Sequence, residues 1–283
     1  MRKGDKAAIV CCSNGQAAAQ QEKLQKLHQT LMDIGLQPVW SDCIYEKESI
    51  FSGTAQERAE NLMRFYRDEE IKVIFDISGG DIANEILPYL DFEVIAESGK
   101  SFWGYSDLTT ILNAVYAKTG KESVLYQIRN LIYKDAQNQI RNFSRTVLNN
   151  QPDLFDWQYS FVQKSEMAGV VVGGNIRCLL KLAGTEYWPD MEGKILLLEA
   201  LGGGVPQMTA YLNQLKQMGV FQKIAGILLG TFTNMEKEGC VPTITELVKR
   251  YACDEIPIAY TPEIGHGMNA KGIVIGRELI LRQ

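Results

Sequence analysis

The 283-residue sequence predicts an α/β protein built in two alternating halves. Short β-rich apolar runs alternate with segments of helical period over residues 6–148, and the alternation resumes over 170–252 after a polar break. Strands alternating with helices indicate a parallel sheet covered on both faces, whose strands are continuously apolar.

The elements follow in order. Lys6 to Cys12 reads as a buried strand. Gln16 to Ile34 follows as a helix, with Leu24, Leu27, Leu31 and Ile34 spaced by three and four and Gly35 as its stop. Thr54-Ala55-Gln56-Glu57 has capping-box spacing and starts a helix to about Glu69. Ile71 to Ile77 is a strand, and Ser78-Gly79-Gly80-Asp81 turns it into a short helix ending near Pro88 to Leu90. Phe102 to Tyr105 is a strand, followed by helices at Asp107 to Lys118 and Ala136 to Leu148. Asn149-Asn150-Gln151-Pro152-Asp153 breaks the pattern, which divides the chain into a domain over 1–150, a connector over 151–168 and a second domain over 169–283. In the second, strands are expected at Val170–Val172, Ile195–Leu198 and Ile227–Leu229, with helices around Ile176–Leu182, Pro206–Met218 and Ile244–Ala252. The end is β-rich: Gly272–Gly276 and Glu278–Leu281, split by Gly276-Arg277, are expected to close as a hairpin or small antiparallel flap.

Composition narrows the function classes. An apolar share of 46% with 22% charged residues is that of a globular protein and excludes a disordered or collagen-like chain. Lys and Arg number 29 against 34 acidic residues, a net charge of -5, which argues against a nucleic-acid partner and for a small molecule or peptide. No apolar run approaches the roughly 18 residues of a membrane span. Ala7 to Cys12 is too short for a secretory segment, so no membrane association and a cytoplasmic location are expected. The six cysteines lack C-x-x-C spacing and are expected to be buried, reduced thiols.

Several chemistries lack their residues. Two histidines, His28 and His266, without H-E-x-x-H or paired cysteines give no metal site. Gly99-Lys100-Ser101 has Val94 where a phosphate loop needs glycine, and no G-x-G-x-x-G follows the first strand, so no cofactor is expected. Gly104-Tyr105-Ser106 approaches a G-x-S-x-G elbow, but Leu108 occupies the closing position.

Three features remain. His266, in Glu263-Ile264-Gly265-His266-Gly267 after a predicted strand, has room for a ligand, whereas His28 lies on an amphipathic helix and reads as a solvent-facing residue. Glu199 ends the run Ile195-Leu196-Leu197-Leu198, where a carboxylate points into the crevice at which such sheets bind ligands. The turn Gly79-Gly80-Asp81-Ile82-Ala83-Asn84 presents amides suited to an anion or an oxyanion.

Together with Lys3-Gly4-Asp5-Lys6, Leu87-Pro88-Tyr89-Leu90-Asp91, Gly104-Tyr105-Ser106-Asp107-Leu108-Thr109, Gly173-Gly174-Asn175 and Gly184-Thr185, these segments resemble the LD-carboxypeptidase family of serine peptidases, which includes muramoyltetrapeptide carboxypeptidases and microcin-immunity proteins. The resemblance runs nearly end to end. It implies an N-terminal Rossmann-like domain, a C-terminal domain with a β-rich part, an active site between them, a homodimer and a Ser-His-Glu triad. Carried over by position, Glu199 and His266 match the triad glutamate and histidine, and Gly79, Gly80, Asp81 and Asn84 the substrate or oxyanion turn. The nucleophile, counted as the fifth residue from the first glycine of that turn, falls on Ala83, which has no hydroxyl. Ser78 and Ser106 are nearby hydroxyls that do not match this position.

Ala83 reads either as a deliberate replacement or as natural loss. Ala200, Gly203 and Ala210, where the family has acidic residues and an arginine, favour natural divergence. Two functions stay open at this point. One is a serine carboxypeptidase or amidase acting on peptidoglycan-derived peptides or peptidyl amides, inactive as written because a methyl group cannot attack a carbonyl. The other is a non-catalytic binding module for a wall-derived peptide or an acyl-adenylate-like ligand. An ordinary Rossmann-like cofactor binder is disfavoured by the missing phosphate fingerprint.

Overall fold

In the computed structural model, which describes residues 1–283, the apolar runs of the first half line up as one parallel sheet. Its strands are β1 (Lys6–Val10), β2 (Gln37–Trp40), β3 (Ile71–Asp76), β4 (Ser101–Gly104) and β5 (Ser123–Leu125), in the order β5-β4-β3-β1-β2. On one face lie α1 (Gln21–Ile34) and α5 (Ala136–Asn149). On the other lie α2 (Ala55–Arg67), α3 (Phe92–Glu97) and α4 (Thr109–Thr119). Helix α1 buries Leu24, Leu27, Leu31 and Ile34 and stops at Gly35, whose φ of 107° suits glycine alone. Helix α2 starts as its spacing predicts: Thr54 Oγ1 accepts from the Glu57 amide at 3.1 Å, and Glu57 Oε2 accepts from the Thr54 amide at 2.8 Å.

The second half forms another six-stranded sheet. Its strands are β6 (Ser160–Gln163), β7 (Glu166–Asn175), β8 (Lys194–Ala200), β9 (Gly226–Phe232), β10 (Ile258–Tyr260) and β12 (Glu278–Arg282). The middle four run parallel, flanked by antiparallel β12 beside β7 and β6 beside β10. Helices α6 (Ile176–Leu180), α7 (Val205–Gln217), α8 (Thr233–Glu238) and α9 (Ile244–Lys249) complete this half. Strand β8 shows why its run is continuous: Ile195 and Leu197 belong to the core facing the first sheet, Leu196 and Leu198 to the core under α6, α7 and α9.

The two halves share a core. One apolar cluster of 35 buried residues takes Ala8, Ile74 and Phe102 from the first sheet and Val171, Leu197 and Leu228 from the second. A polar seam runs beside it: the fully buried Asn113 of α4 donates to Gly173 O at 2.9 Å and accepts from the Gly173 amide at 2.7 Å.

Three expectations are corrected. The tail is not a hairpin. Strand β11 (Ile273–Ile275) pairs antiparallel with β5 and adds a sixth strand to the first sheet, while β12 joins the second. Gly276, with φ of 90°, makes the turn between sheets. The stretch expected to be only a connector contains β6, whose pairing with β10 gives its backbone groups partners. Among the six free cysteines, Cys11, Cys12, Cys43 and Cys178 are buried, but Cys253 is exposed. Burial pushes the Cys11 thiol up to about 12, so it stays protonated at neutral pH.

Candidate active site

Loops at the carboxyl ends of the strands in both sheets meet at the seam, where open α/β sheets bind ligands. Strand β8 delivers Glu199 there as a fully buried carboxylate. The loop after β10 delivers His266. The position before it must be glycine: Gly265 has φ of 139°, and a Cβ there would strike the Thr231 side chain, whose amide donates to Ile264 O at 2.8 Å. His266 Nδ1 lies 2.6 Å from Glu199 Oε2. The Tyr105 ring packs on the imidazole with centroids 4.5 Å apart. Burial, and then the Glu199 carboxylate, push the Tyr105 phenol well above its ordinary range, so it stays neutral beside the pair.

The hydroxyl facing His266 is that of Ser106, with Oγ 3.2 Å from Nε2. Ser106 has φ of 55°, an uncommon value for a residue with a side chain, and opens the 3₁₀ turn Ser106–Leu108 that follows β4 and continues into α4. A strained serine on a strand-to-helix turn is a nucleophile elbow. The closing position that fails the sequence motif has a structural explanation. Leu108 is fully buried, and a Cβ on Gly104 would come within 2.6 Å of Leu108 Cβ, so the single glycine at 104 makes the room.

Ala83 occupies a different place from the one expected. It is fully buried in the apolar core, and its amide donates to Asp107 Oδ2 at 2.9 Å. Counting from Gly79 assigns the nucleophile to the loop after β3, whereas the hydroxyl at His266 comes from the loop after β4. Asn84 is exposed and outside the cavity, so it does not join the site. Ser78 is buried and donates to Asp76 Oδ1 at 2.5 Å. His28 is not simply solvent-facing: its Nδ1 accepts from Trp40 Nε1 at 2.9 Å.

Gly79 and Gly80 do border the serine. A Cβ on Gly79 would be 3.9 Å from Ser106 Cβ, and one on Gly80, with φ of 116°, would overlap the Asn14 amide. The Gly80 amide meets no acceptor in the protein, whereas the Asp81 amide is taken by Asn14 Oδ1 at 3.0 Å. The first amides of a helix lack intrahelical partners, which adds the Asp107 amide as a donor beside Ser106. A cavity of about 470 Å³ opens over Ser106, Gly80, Asn175, Arg177, Gly203 and Tyr211. Asn175 Oδ1 accepts from the Cys178 amide at 3.3 Å, which leaves its NH₂ group free in this cavity. A larger cleft, about 680 Å³ between residues 47–57 and 85–89, contains neither serine nor histidine. Nowhere do three His, Cys, Asp or Glu side chains gather as metal ligands.

A serine on an elbow, a histidine against it and a buried carboxylate behind it form the constellation of serine hydrolases. Residues 7–126 match the LD-carboxypeptidase N-terminal domain and residues 168–281 its C-terminal domain. The chain belongs to the LD-carboxypeptidase family, a family of serine carboxypeptidases. It is 28% identical to the probable murein peptide carboxypeptidase of Bacillus subtilis over 87% of this chain and 76% of that protein. Among solved structures, MccF in complex with glutamyl sulfamoyl guanosine matches with a TM-score of 0.88 at 20% identity, covering 99% of this chain and 93% of that one. Muramoyltetrapeptide carboxypeptidase from Oxalobacter formigenes matches with a TM-score of 0.82 at 22% identity, covering 98% and 95%. These two likenesses concern the fold.

Proposed function

We propose that the chain is an active serine peptidase that hydrolyses an amide bond in murein-derived peptides, with Ser106 as nucleophile, His266 as general base and acid, and Glu199 as its partner. The observation that carries this reading is the continuous Ser106–His266–Glu199 chain, with contacts of 3.2 and 2.6 Å. An Nδ1–H donated to Glu199 leaves Nε2 as the acceptor for the Ser106 proton. Ser106 Oγ then bonds to the substrate carbonyl carbon, and the oxyanion faces the Gly80 and Asp107 amides. His266 returns the proton to the leaving amine as the C–N bond breaks. Water attacks the resulting ester, His266 takes its proton and passes it to Ser106 Oγ as the acyl C–O bond breaks, and the shortened peptide acid leaves.

The free NH₂ of Asn175 and the Arg177 guanidinium, which donates to Gly80 O at 3.0 Å, put hydrogen-bond donors at the cavity wall for the carbonyls and terminal carboxylate of a peptide. The binding-module alternative rested on Ala83 and the Gly202-Gly203-Gly204 loop; Ala83 lies in the core rather than at His266, and Gly202 and Gly203 line the cavity over Ser106. The substrate class rests on family membership and on what the relatives are called. Incubation with a muramoyl tetrapeptide should release the terminal D-amino acid, and an aminoacyl sulfamoyl nucleotide serves as a parallel probe. Intact tetrapeptide after prolonged incubation would reject the murein reading, and loss of the nucleotide probe alone would reassign the substrate. By family resemblance we also propose a homodimer acting in the cytoplasm. Light scattering at micromolar concentration should give twice the chain mass, and a monomer mass would refute the dimer.

A further inference from the structure

Ser106 keeps an unfavourable backbone angle, and such angles persist only where the surroundings over-determine them. The neighbour that does this is Asp107, which is fully buried. Its carboxylate accepts from Ser13 Oγ at 2.6 Å and from the Ala83 amide at 2.9 Å, both within the first half. Its third partner comes from the other half: Lys181 Nζ, at the end of α6, donates to Asp107 Oδ1 at 2.5 Å. The same ammonium donates to Asp81 O at 2.7 Å and lies 3.8 Å from Asp81 Oδ1. One cation therefore touches both the serine elbow and the turn that carries Gly80.

We propose that Lys181 is a positioning residue: its ammonium, projecting from the half that carries Glu199 and His266, locks the Ser106 elbow and the Gly80 turn in register with them. This rests on the reading of Ser106 as the nucleophile. Lys181 does not line the cavity over Ser106, so it acts through Asp107 and not on substrate. Arg177, one turn earlier, cannot replace it, because its guanidinium reaches Gly80 O and Asp81 but not Asp107. The shared core and the Asn113–Gly173 pair hold the halves together without Lys181, so its loss should loosen the elbow more than the fold.

The test is the rate at which a fluorophosphonate labels Ser106, located by peptide mass spectrometry, at saturating reagent and well below the unfolding temperature. A misplacement of about 1 Å at a reacting group costs on the order of 100-fold, and Lys181→Met should lower the maximal labelling rate by about that factor. The half-saturating concentration should stay within about threefold, because uniform binding is untouched. Lys181→Gln, which keeps a donor for the Asp81 carbonyl, is measured beside it and carries the same expectation should the methionine variant fail to fold. Lys181→Arg should recover at least about tenfold of the loss by restoring the charge, though its planar fork fits differently. A purely structural role would lower the melting temperature and leave the maximal rate unchanged, and that result would overturn the proposal. An unlabelled wild-type Ser106 would reject the nucleophile assignment itself, and the proposal with it.

Discussion

Ser106→Ala is expected to lower kcat for the tetrapeptide by about 10⁶-fold while KM stays within about threefold, the pattern of a group needed only in the transition state. No other hydroxyl lies within hydrogen-bond distance of His266 Nε2. Ser13 Oγ donates to Asp107, Ser78 Oγ donates to Asp76, and Thr109 Oγ1 accepts from the Asn175 amide at 3.0 Å. The residual rate should be that of the oxyanion donors and binding alone. The variant should fold normally, since the change removes one half-buried oxygen and relieves no clash. Its counterpart, Ala83→Ser, should create no new activity and should cost about 1–3 kcal/mol of stability, because the hydroxyl enters a filled core. A Ser106→Ala enzyme retaining a tenth of wild-type kcat would sink the assignment.

Glu199→Gln should lower kcat by about 10⁴-fold through the tautomer of His266. The carboxylate can only accept, so it holds the proton on Nδ1 and leaves Nε2 free for Ser106. A glutamine can donate to Nδ1 instead, which moves the ring proton to Nε2, where it blocks transfer from the serine. Folding should respond differently. Glu199 is fully buried and its Oε1 meets no donor, so replacing the charge by an isosteric amide should leave the melting temperature level or raise it. Loss of activity together with a large fall in melting temperature would make Glu199 a structural residue and remove it from the mechanism.

Much of the fold is legible because burial writes itself into the chain. The run Ile195–Leu198 announces a strand covered on both faces, and the leucine spacing of α1 announces its inner side. Strand β2 is not legible: it lies at a sheet edge, is only partly buried and contains Pro38, so neither alternation nor an apolar run marks it. In the site, Glu199 and His266 stand out by their places at strand ends. Ser106 is harder, because its mark is a positive φ and the familiar second glycine is replaced by Leu108 packed over Gly104. The available signal is the context, a strand through Gly104 followed at once by a helix. Lys181 leaves no local sign at all, since its partners lie 74 and 100 residues away.

The placement of β11 has a consequence for how the polypeptide is made. Ile273 pairs with Leu125, so the outer edge of β5 stays bare until almost 150 further residues have been synthesised. At roughly 5–20 residues per second, that interval lasts on the order of ten to thirty seconds on the ribosome. Throughout it, a row of unpaired amides and carbonyls on β5 is a template for any other extended segment. The nascent first half is therefore an incomplete folding unit, and early chain termination anywhere before residue 273 yields a species prone to edge-to-edge association. Slower synthesis or a smaller chaperone supply is therefore expected to lower the yield of correctly assembled molecules without any change in final stability.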